Sequence, residues 1–490
     1  MINLTLDEAK KIAAEGDYKV IPISCEFFSD VKTPIEVLRI LKNISRHVYM
    51  LESIEDNEKW GRYTFLGYDP KLELACLKGK MTIKNGTTIE MDIRHPGEMI
   101  KKILADYKSP KLEHLPPFTG GMVGYFAYDY ICYEEPSLKL QAKDEENFKD
   151  VDLMLFDKVI AFDNYRQKII CIVNAKTEDI DRAYNKAVIE LKNMTELIRS
   201  GQPQPPKQGR ITSEFRPLFD KEAYCDMVRK AKHYIKEGDI FQVVLSNRLE
   251  ADFEGSLLDA YRVLRTTNPS PYMFYFSSDD IEMAGASPET LVKLEDGVLH
   301  TFPLAGTRKR GRTEQEDLAF EKELLADEKE RAEHNMLVDL GRNDIGKISA
   351  FGTVEVEKYM SIEHFSQVMH IGSTVAGELR EDKDAVDAVD AILPAGTLSG
   401  APKFRACQVI EELEQSKRGI YGGAIGYLDF AGNLDTCIAI RLVYKKNGEI
   451  CIRSGAGIVA DSVPEKEFQE CCNKARAVVQ AIEQAQEGLE

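Results

Sequence analysis

The sequence is short of positive charge, of tryptophan and of long apolar runs. Across 490 residues, 64 Lys and Arg face 82 Asp and Glu, a formal net charge of −18. A surface that negative repels phosphate backbones and anionic headgroups, which argues against nucleic-acid and membrane partners. An anionic small molecule would need a local patch of Arg, Lys, backbone N–H groups or a metal to offset the field. No apolar run approaches the roughly 18 residues of a membrane span, and the charged start MINLTLDEAKKIAAEGD lacks the apolar stretch of a secretory signal. These absences point to the cytoplasm. The 10 Cys show no C-x-x-C and no Cys/His spacing suited to zinc, so they read as small apolar residues in a reducing compartment. There is 1 Trp, but 21 Phe and 20 Tyr supply bulk for a large core.

Ser200 to Gly209 has no apolar periodicity and holds three prolines, which predicts a linker over 201–213 between a first part, 1–200, and a second, 214–490. Helical spacing marks Glu178–Arg199, Asp220–Gly238, Glu316–Leu340 with at most one break, Ala401–Gln415 and Glu465–Gln484. Strand-like runs include Val48–Leu51, Val151–Phe156, Ile240–Leu249, Tyr272–Phe276, Cys437–Val443 and Glu449–Arg453. Several follow one another with no helix between. The pattern predicts an α/β protein of the α+β type, with mixed or antiparallel sheets packed against outer helices.

Two glycine patterns mislead. Gly341 to Lys347 has the Gly-x4-Gly-Lys frame of a phosphate loop, but Ile348 replaces the magnesium-binding hydroxyl. Ser454 to Ala460 matches Gly-x-Gly-x-x-Ala, yet Asp461-Ser462-Val463-Pro464 separates it from the next helix, so no helix dipole can point at a pyrophosphate there. A glycine-rich turn offering backbone N–H groups to another anion is the expectation.

Two helical stretches carry Glu-x-x-Glu: Glu330 with Glu333, and Glu467 with Glu470. Each i, i+3 pair lies on one helix face, and Lys474 shares the face of Glu470. If the two faces met in a cleft, four like charges would call for a divalent cation, and hard oxygen ligands favour Mg²⁺. Spacing alone favours two solvated faces.

Six strings together resemble the chorismate-utilising enzymes: Gly285–Glu289, Pro303–Arg308, His334–Asp344, Leu393–Lys403, Tyr421–Tyr427 and Arg453–Val459. Within that family the chain is similar to the large subunits of anthranilate synthases over essentially its whole length. The resemblance implies the fold of those subunits and Mg²⁺-dependent conversion of chorismate and ammonia to anthranilate and pyruvate. It implies Glu333 and Glu470 as metal ligands, with Glu330 and Glu467 behind them or bonded through water. Glu289 matches the general acid, which must be protonated to donate to the departing C4 hydroxyl. Arg441 and Lys474 match carboxylate-binding positions; Tyr421, Gly455, Ala456 and Gly457 match the same region. Gly306, Thr307 and Thr397 match the ring pocket, and His370 a histidine near C1 that orients substrate or helps pyruvate leave.

Two positions select the branch. Members that add water at C2 carry a Lys base where this chain has Gln242, and a neutral amide cannot deprotonate water. Many 4-amino-4-deoxychorismate synthases carry a nucleophilic Lys where this chain has Ala305. The rivals are that synthase and a non-catalytic subunit sensing chorismate or tryptophan. No glutaminase nucleophile loop is present, which implies a separate glutamine amidotransferase subunit as ammonia source. Leu51-Glu52-Ser53 and Pro271-Tyr272-Met273 resemble the tryptophan-inhibition elements of regulated synthases, with Glu52 suited to a bound amino group.

Overall fold

The computed structural model describes residues 2–53, 61–205, 207–364 and 368–489; Pro206 of the expected linker lies outside them. Two large sheets, of 13 and 12 strands, face each other with helices on both outer sides, and every pairing between their strands is antiparallel. The strands were recognisable as apolar runs because both faces of each sheet are covered. In Tyr272–Ser277, Tyr272, Phe274 and Phe276 enter the core between the sheets, while Met273 and Tyr275 enter the core under the outer helices. In Val151–Phe156, Met154 and Phe156 point inward and Val151, Leu153 and Leu155 outward.

Both parts of the chain supply strands to both sheets. The seams are Val48–Glu52 beside Tyr272–Ser277, and Gly121–Phe126 beside Ala424–Asp429. Among its described residues the 201–213 stretch holds no helix and only the short strand Arg210–Ile211. Among the described residues no helix is long and apolar enough to cross a membrane.

One expectation about elements is made specific and two change. The expected Glu316–Leu340 helix is two helices, Glu314–Ala326 and Glu328–Gly346, because Asp327 takes an extended conformation and its side chain caps the N–H groups of Lys329 and Glu330. That places Gly341 and Gly346 inside a helix, with no phosphate loop. The expected turn at Gly455 and Gly457 is the end of the strand Glu449–Ile458. The single strand expected over Cys437–Val443 is interrupted between Leu434–Ile438 and Leu442–Lys446, where Arg441 adopts φ +51°.

That interruption positions the site. Leu434–Ile438 belongs to the 12-stranded sheet and Leu442–Lys446 to the 13-stranded one, so 439–441 is a crossing between sheets. Glu282–Ser287 and Thr290–Glu295 divide in the same way, which makes Pro288 and Glu289 a second crossing. The two are tied together by Ser287 Oγ donating to the Ile438 carbonyl at 2.7 Å and the Ile438 N–H donating to the Glu289 carbonyl at 2.9 Å.

Candidate active site

A cavity of about 480 Å³ opens beside these crossings. Its walls bring together Gln242, Glu289, Gly306, Thr307, His370, Thr397, Tyr421, Arg441, Gly455, Gly457 and Lys474, with Glu330 and Glu333 from one helix and Glu467 and Glu470 from another. Every catalytic, substrate and metal position expected from the sequence lines it except Ala456. Side chains alternate along a strand: the expected contacts Gly455 and Gly457 face the cavity, so Ala456 faces away and packs with Val243, Leu245 and Ile458.

Glu289 is aimed inward by its crossing and accepts a hydrogen bond from Thr397 Oγ1 at 2.8 Å. Burial drives its pKa up to about 7, although Thr397, Lys474 and Arg441 all favour the charged form. Arg441 owes its direction to the left-handed backbone of the other crossing, a conformation disfavoured for a side chain with a Cβ and concentrated at functional sites. Burial disfavours its charge and Glu289 favours it.

His370 donates from Nδ1 to the Gly306 carbonyl at 2.7 Å, with Thr307 Oγ1 at 3.2 Å from the same nitrogen. The bond to a carbonyl fixes the proton on Nδ1 and leaves Nε2 as the acceptor nitrogen. Burial, and Arg441, lower its pKa, so the ring is neutral at pH 7. Gly306 sits at φ +65°, and a Cβ there would meet Leu324 at 2.9 Å and Glu330 Oε2 at 3.1 Å. Gly455 is required by close approach: a Cβ would lie 2.6 Å from the Leu245 carbonyl oxygen and 2.8 Å from the Tyr421 hydroxyl.

The four glutamates occupy the early turns of Glu328–Gly346 and Pro464–Glu487, where helix dipoles favour negative charge. Glu333 has its pKa raised by burial, then by Glu330 and Glu470; Glu467 is raised by burial and Glu470. Lys474 Nζ lies 2.8 Å from Glu470 Oε1 and donates to the Gly455 carbonyl at 3.0 Å. Arg308 Nη1 lies 3.7 Å from Glu330 Oε1. Hard, mutually repelling carboxylates opening onto one cavity suit a divalent cation of the Mg²⁺ type. Sequence reasoning missed Lys329, which also lines the cavity and favours the charged forms of Glu333 and Glu467. Its only signal is its place immediately before Glu330.

A second cavity, about 570 Å³, lies between the sheets at the seam, and Leu51, Glu52, Ser53, Pro271, Tyr272 and Met273 all border it. One side chain there points otherwise than expected. The Glu52 carboxylate is buried against Arg265 and Tyr261 on the helix Leu258–Thr267, with Arg265 Nη2 donating at 2.8 Å. It lies directly opposite Met273 in the strand pairing, and Met273 joins the outer core as well. Strand alternation sends both side chains outward, so the Glu52 carboxylate is turned from the cavity and braces a helix.

A family model described as chorismate binding enzyme matches residues 46–480. The chain is 48% identical to the anthranilate synthase component 1 of Acetivibrio thermocellus, over 99% of each chain. With that of Aquifex aeolicus it shares 46% identity, over 100% of this chain and 99% of the relative. The crystal structure of anthranilate synthase component I from Streptococcus pneumoniae superposes with TM-score 0.77 at 39% identity, covering 92% of this chain and 98% of that one. The menaquinone-specific isochorismate synthase from Escherichia coli shares the fold, with TM-score 0.70 at 18% identity over 97% of this chain and 99% of that one.

Proposed function

Since the chain belongs to the chorismate-binding enzyme family and, within it, to the large subunits of anthranilate synthases, it is a chorismate-utilising lyase, and we propose that the 480 Å³ cavity is where it makes anthranilate for tryptophan biosynthesis. The observation that carries this reading is the convergence of Glu289, a half-buried carboxyl whose pKa is raised to about 7, with Arg441, Lys474 and four glutamates around one space.

Arg441 and Lys474 bind the substrate's carboxylates, the guanidinium fork matching a planar carboxylate. Tyr421 and the Cβ-free Gly455 and Gly457 let the substrate lie close to the strand. Ammonia bonds to C2 and gives up a proton to solvent, each of the two ring double bonds shifts by one position, and the C4–O bond breaks as Glu289 gives its proton to the departing hydroxyl, releasing water. C2 then gives up its proton as the C3–O bond breaks, the methylene carbon of the enolpyruvyl group takes up a proton so that the group leaves as pyruvate, and the ring becomes aromatic. Gly306, Thr307 and Thr397 shape the ring pocket; neutral His370 orients the substrate and assists the loss of pyruvate. Gln242 stands where a water-activating base would be needed, which leaves ammonia as nucleophile.

Glu333 and Glu470 would hold Mg²⁺, with Glu330 and Glu467 behind them, and the ion would supply a positive site for a carboxylate in an otherwise acidic protein. The 570 Å³ cavity takes tryptophan as feedback inhibitor, in contact with Leu51, Ser53, Pro271 and Tyr272. Regulatory elements thus begin in 1–200, joined through 201–213 to the catalytic 214–490. Ammonia comes from a separate glutamine amidotransferase subunit in a cytoplasmic hetero-oligomer.

Purified chain supplied with chorismate, ammonium and Mg²⁺ should form fluorescent anthranilate and pyruvate in equal amounts. A non-aromatic 4-amino product would assign it to aminodeoxychorismate synthesis. Glutamine should not replace ammonium until the partner subunit is added; glutamine-driven turnover by this chain alone would overturn the partner assignment.

A further inference from the structure

Arg418 has no place among the cavity-lining residues, and its side chain is 1% exposed, as is that of its partner Glu414. Nε donates to Glu414 Oε2 at 2.9 Å, Nη1 to the Leu398 carbonyl at 2.7 Å, and Nη2 to the Val244 carbonyl at 2.7 Å and to Glu414 Oε1 at 2.5 Å. The guanidinium also lies 5.6 Å from the ring centroid of Tyr421 and 4.7 Å from that of Tyr128. Val244, Leu398 and Tyr421 all line the cavity. They come from three separate segments: a strand that starts with Gln242, the loop that carries Thr397, and the turn after the helix Lys403–Glu414. Glu414 extends the tie by accepting from Ser246 N–H at 2.7 Å and Ser246 Oγ at 2.9 Å.

A buried ion pair is a poor source of net stability, because desolvation cancels most of the attraction. A fully bonded one is a strong source of geometry. The planar fork of Arg reaches carbonyls on two segments while stacking beside a ring on the third; a Lys ammonium is a compact point charge that cannot span them. We propose that Arg418, held by Glu414, is a positioning residue for the reaction: it sets the spacing of the Thr397 loop, the Gln242 strand and the Tyr421 turn around the substrate. This rests on the chorismate reading of the cavity.

The test is Arg418→Lys in the full chain, assayed with chorismate and ammonium beside the wild type. Wild-type failure to make anthranilate would strike the chorismate reading and leave Arg418 unaddressed only until the true substrate is assayed. With wild type active, kcat of the folded variant should fall on the order of 100-fold, as expected for a displacement of about 1 Å at a reacting centre. KM for chorismate should change by less, since Arg441 and Lys474 are untouched. The alkaline limb of the pH profile should also move to higher pH, because displacing Thr397 removes a bond that favours the charged form of Glu289, leaving Lys474 and Arg441 facing it. Should Arg418→Lys not fold, Glu414→Asp, which keeps both charges and shortens the reach, is read by the same three measures. A folded variant with wild-type kcat and an unmoved limb would overturn the proposal and leave the pair a structural one.

Discussion

The Thr397 hydroxyl donates to the Glu289 carboxyl at 2.8 Å inside a cavity whose burial has already pushed that carboxyl up to about 7. Burial and hydrogen bond act in opposite senses. The donor form of Glu289 is the protonated one, so kcat/KM for chorismate, measured at constant free ammonia, should fall as pH rises through about 7. Thr397→Val removes a bond that favours the carboxylate, and the limb should move to higher pH. An unmoved or acid-shifted limb would detach Thr397 from Glu289. The same shift has a stability consequence. A carboxyl whose folded pKa lies above its ordinary value of about 4.5 favours folding below that value, and the advantage is lost as pH rises through about 7. Glu289→Gln, permanently neutral, should therefore lose turnover yet melt above wild type at pH 8 and beside it at pH 4.

The repulsion among the glutamates gives a second expectation. Glu470 is one of the two carboxylates that raise Glu333. Glu470→Gln should abolish Mg²⁺-supported turnover, by at least about 100-fold given one ligand lost from a hard-cation site. In metal-free buffer it should melt no lower than wild type, because one like charge facing Glu333 has gone. Activity at the wild-type level would remove the metal assignment; a large drop in melting temperature would show that Glu470 serves the fold through its contact with Lys474.

The chemistry-bearing residues were legible because their types and spacings carry meaning within one element: Glu330 with Glu333 and Glu467 with Glu470 declare helix faces on their own. That the two faces share a cavity depends on sheet order far along the chain, which no local period encodes. The crossing at Arg441 was hidden because Ala439 and Ile440 look like strand, and only the backbone shows the left-handed residue that ends it. The side chains of Ala456 and Glu52 face away from their cavities for one reason. Adjacent residues in a motif were assigned together, while a strand sends neighbours to opposite faces. Arg418 had no signal, since nothing in a Lys-Arg pair distinguishes a buried guanidinium from a solvated one.

Alternation also sharpens the inhibitor site. Ser53 and Leu51 share an inward parity, and both border the 570 Å³ cavity. Ser53→Phe fills that space with a ring and should abolish tryptophan inhibition, together with any tryptophan-dependent rise in melting temperature, while kcat with ammonium changes less than about threefold. Glu52→Gln acts elsewhere. It breaks the pairing with Arg265, so it should lower the melting temperature before it alters the affinity for tryptophan. Inhibition unchanged in Ser53→Phe would exclude this cavity as the effector site.

Tyr272, on the wall of the 570 Å³ cavity, is hydrogen-bonded to strands that lead from both crossings. Its hydroxyl lies 2.8 Å from Asp435 Oδ1 and 3.0 Å from Thr290 Oγ1. Thr290 begins the strand that follows the Pro288–Glu289 crossing, and the strand carrying Asp435 runs on into the 439–441 crossing, at Arg441. A ligand that shifts Tyr272 therefore pulls on both segments that aim the proton donor and the carboxylate-binding guanidinium. Removing the hydroxyl separates binding from response: Tyr272→Phe should still bind tryptophan, measured by calorimetry, with an affinity within about tenfold of wild type, while maximal inhibition at saturating tryptophan becomes incomplete. Equal loss of binding and inhibition would make Tyr272 a contact only. Full inhibition with unchanged binding would place the coupling elsewhere in the seam between the sheets.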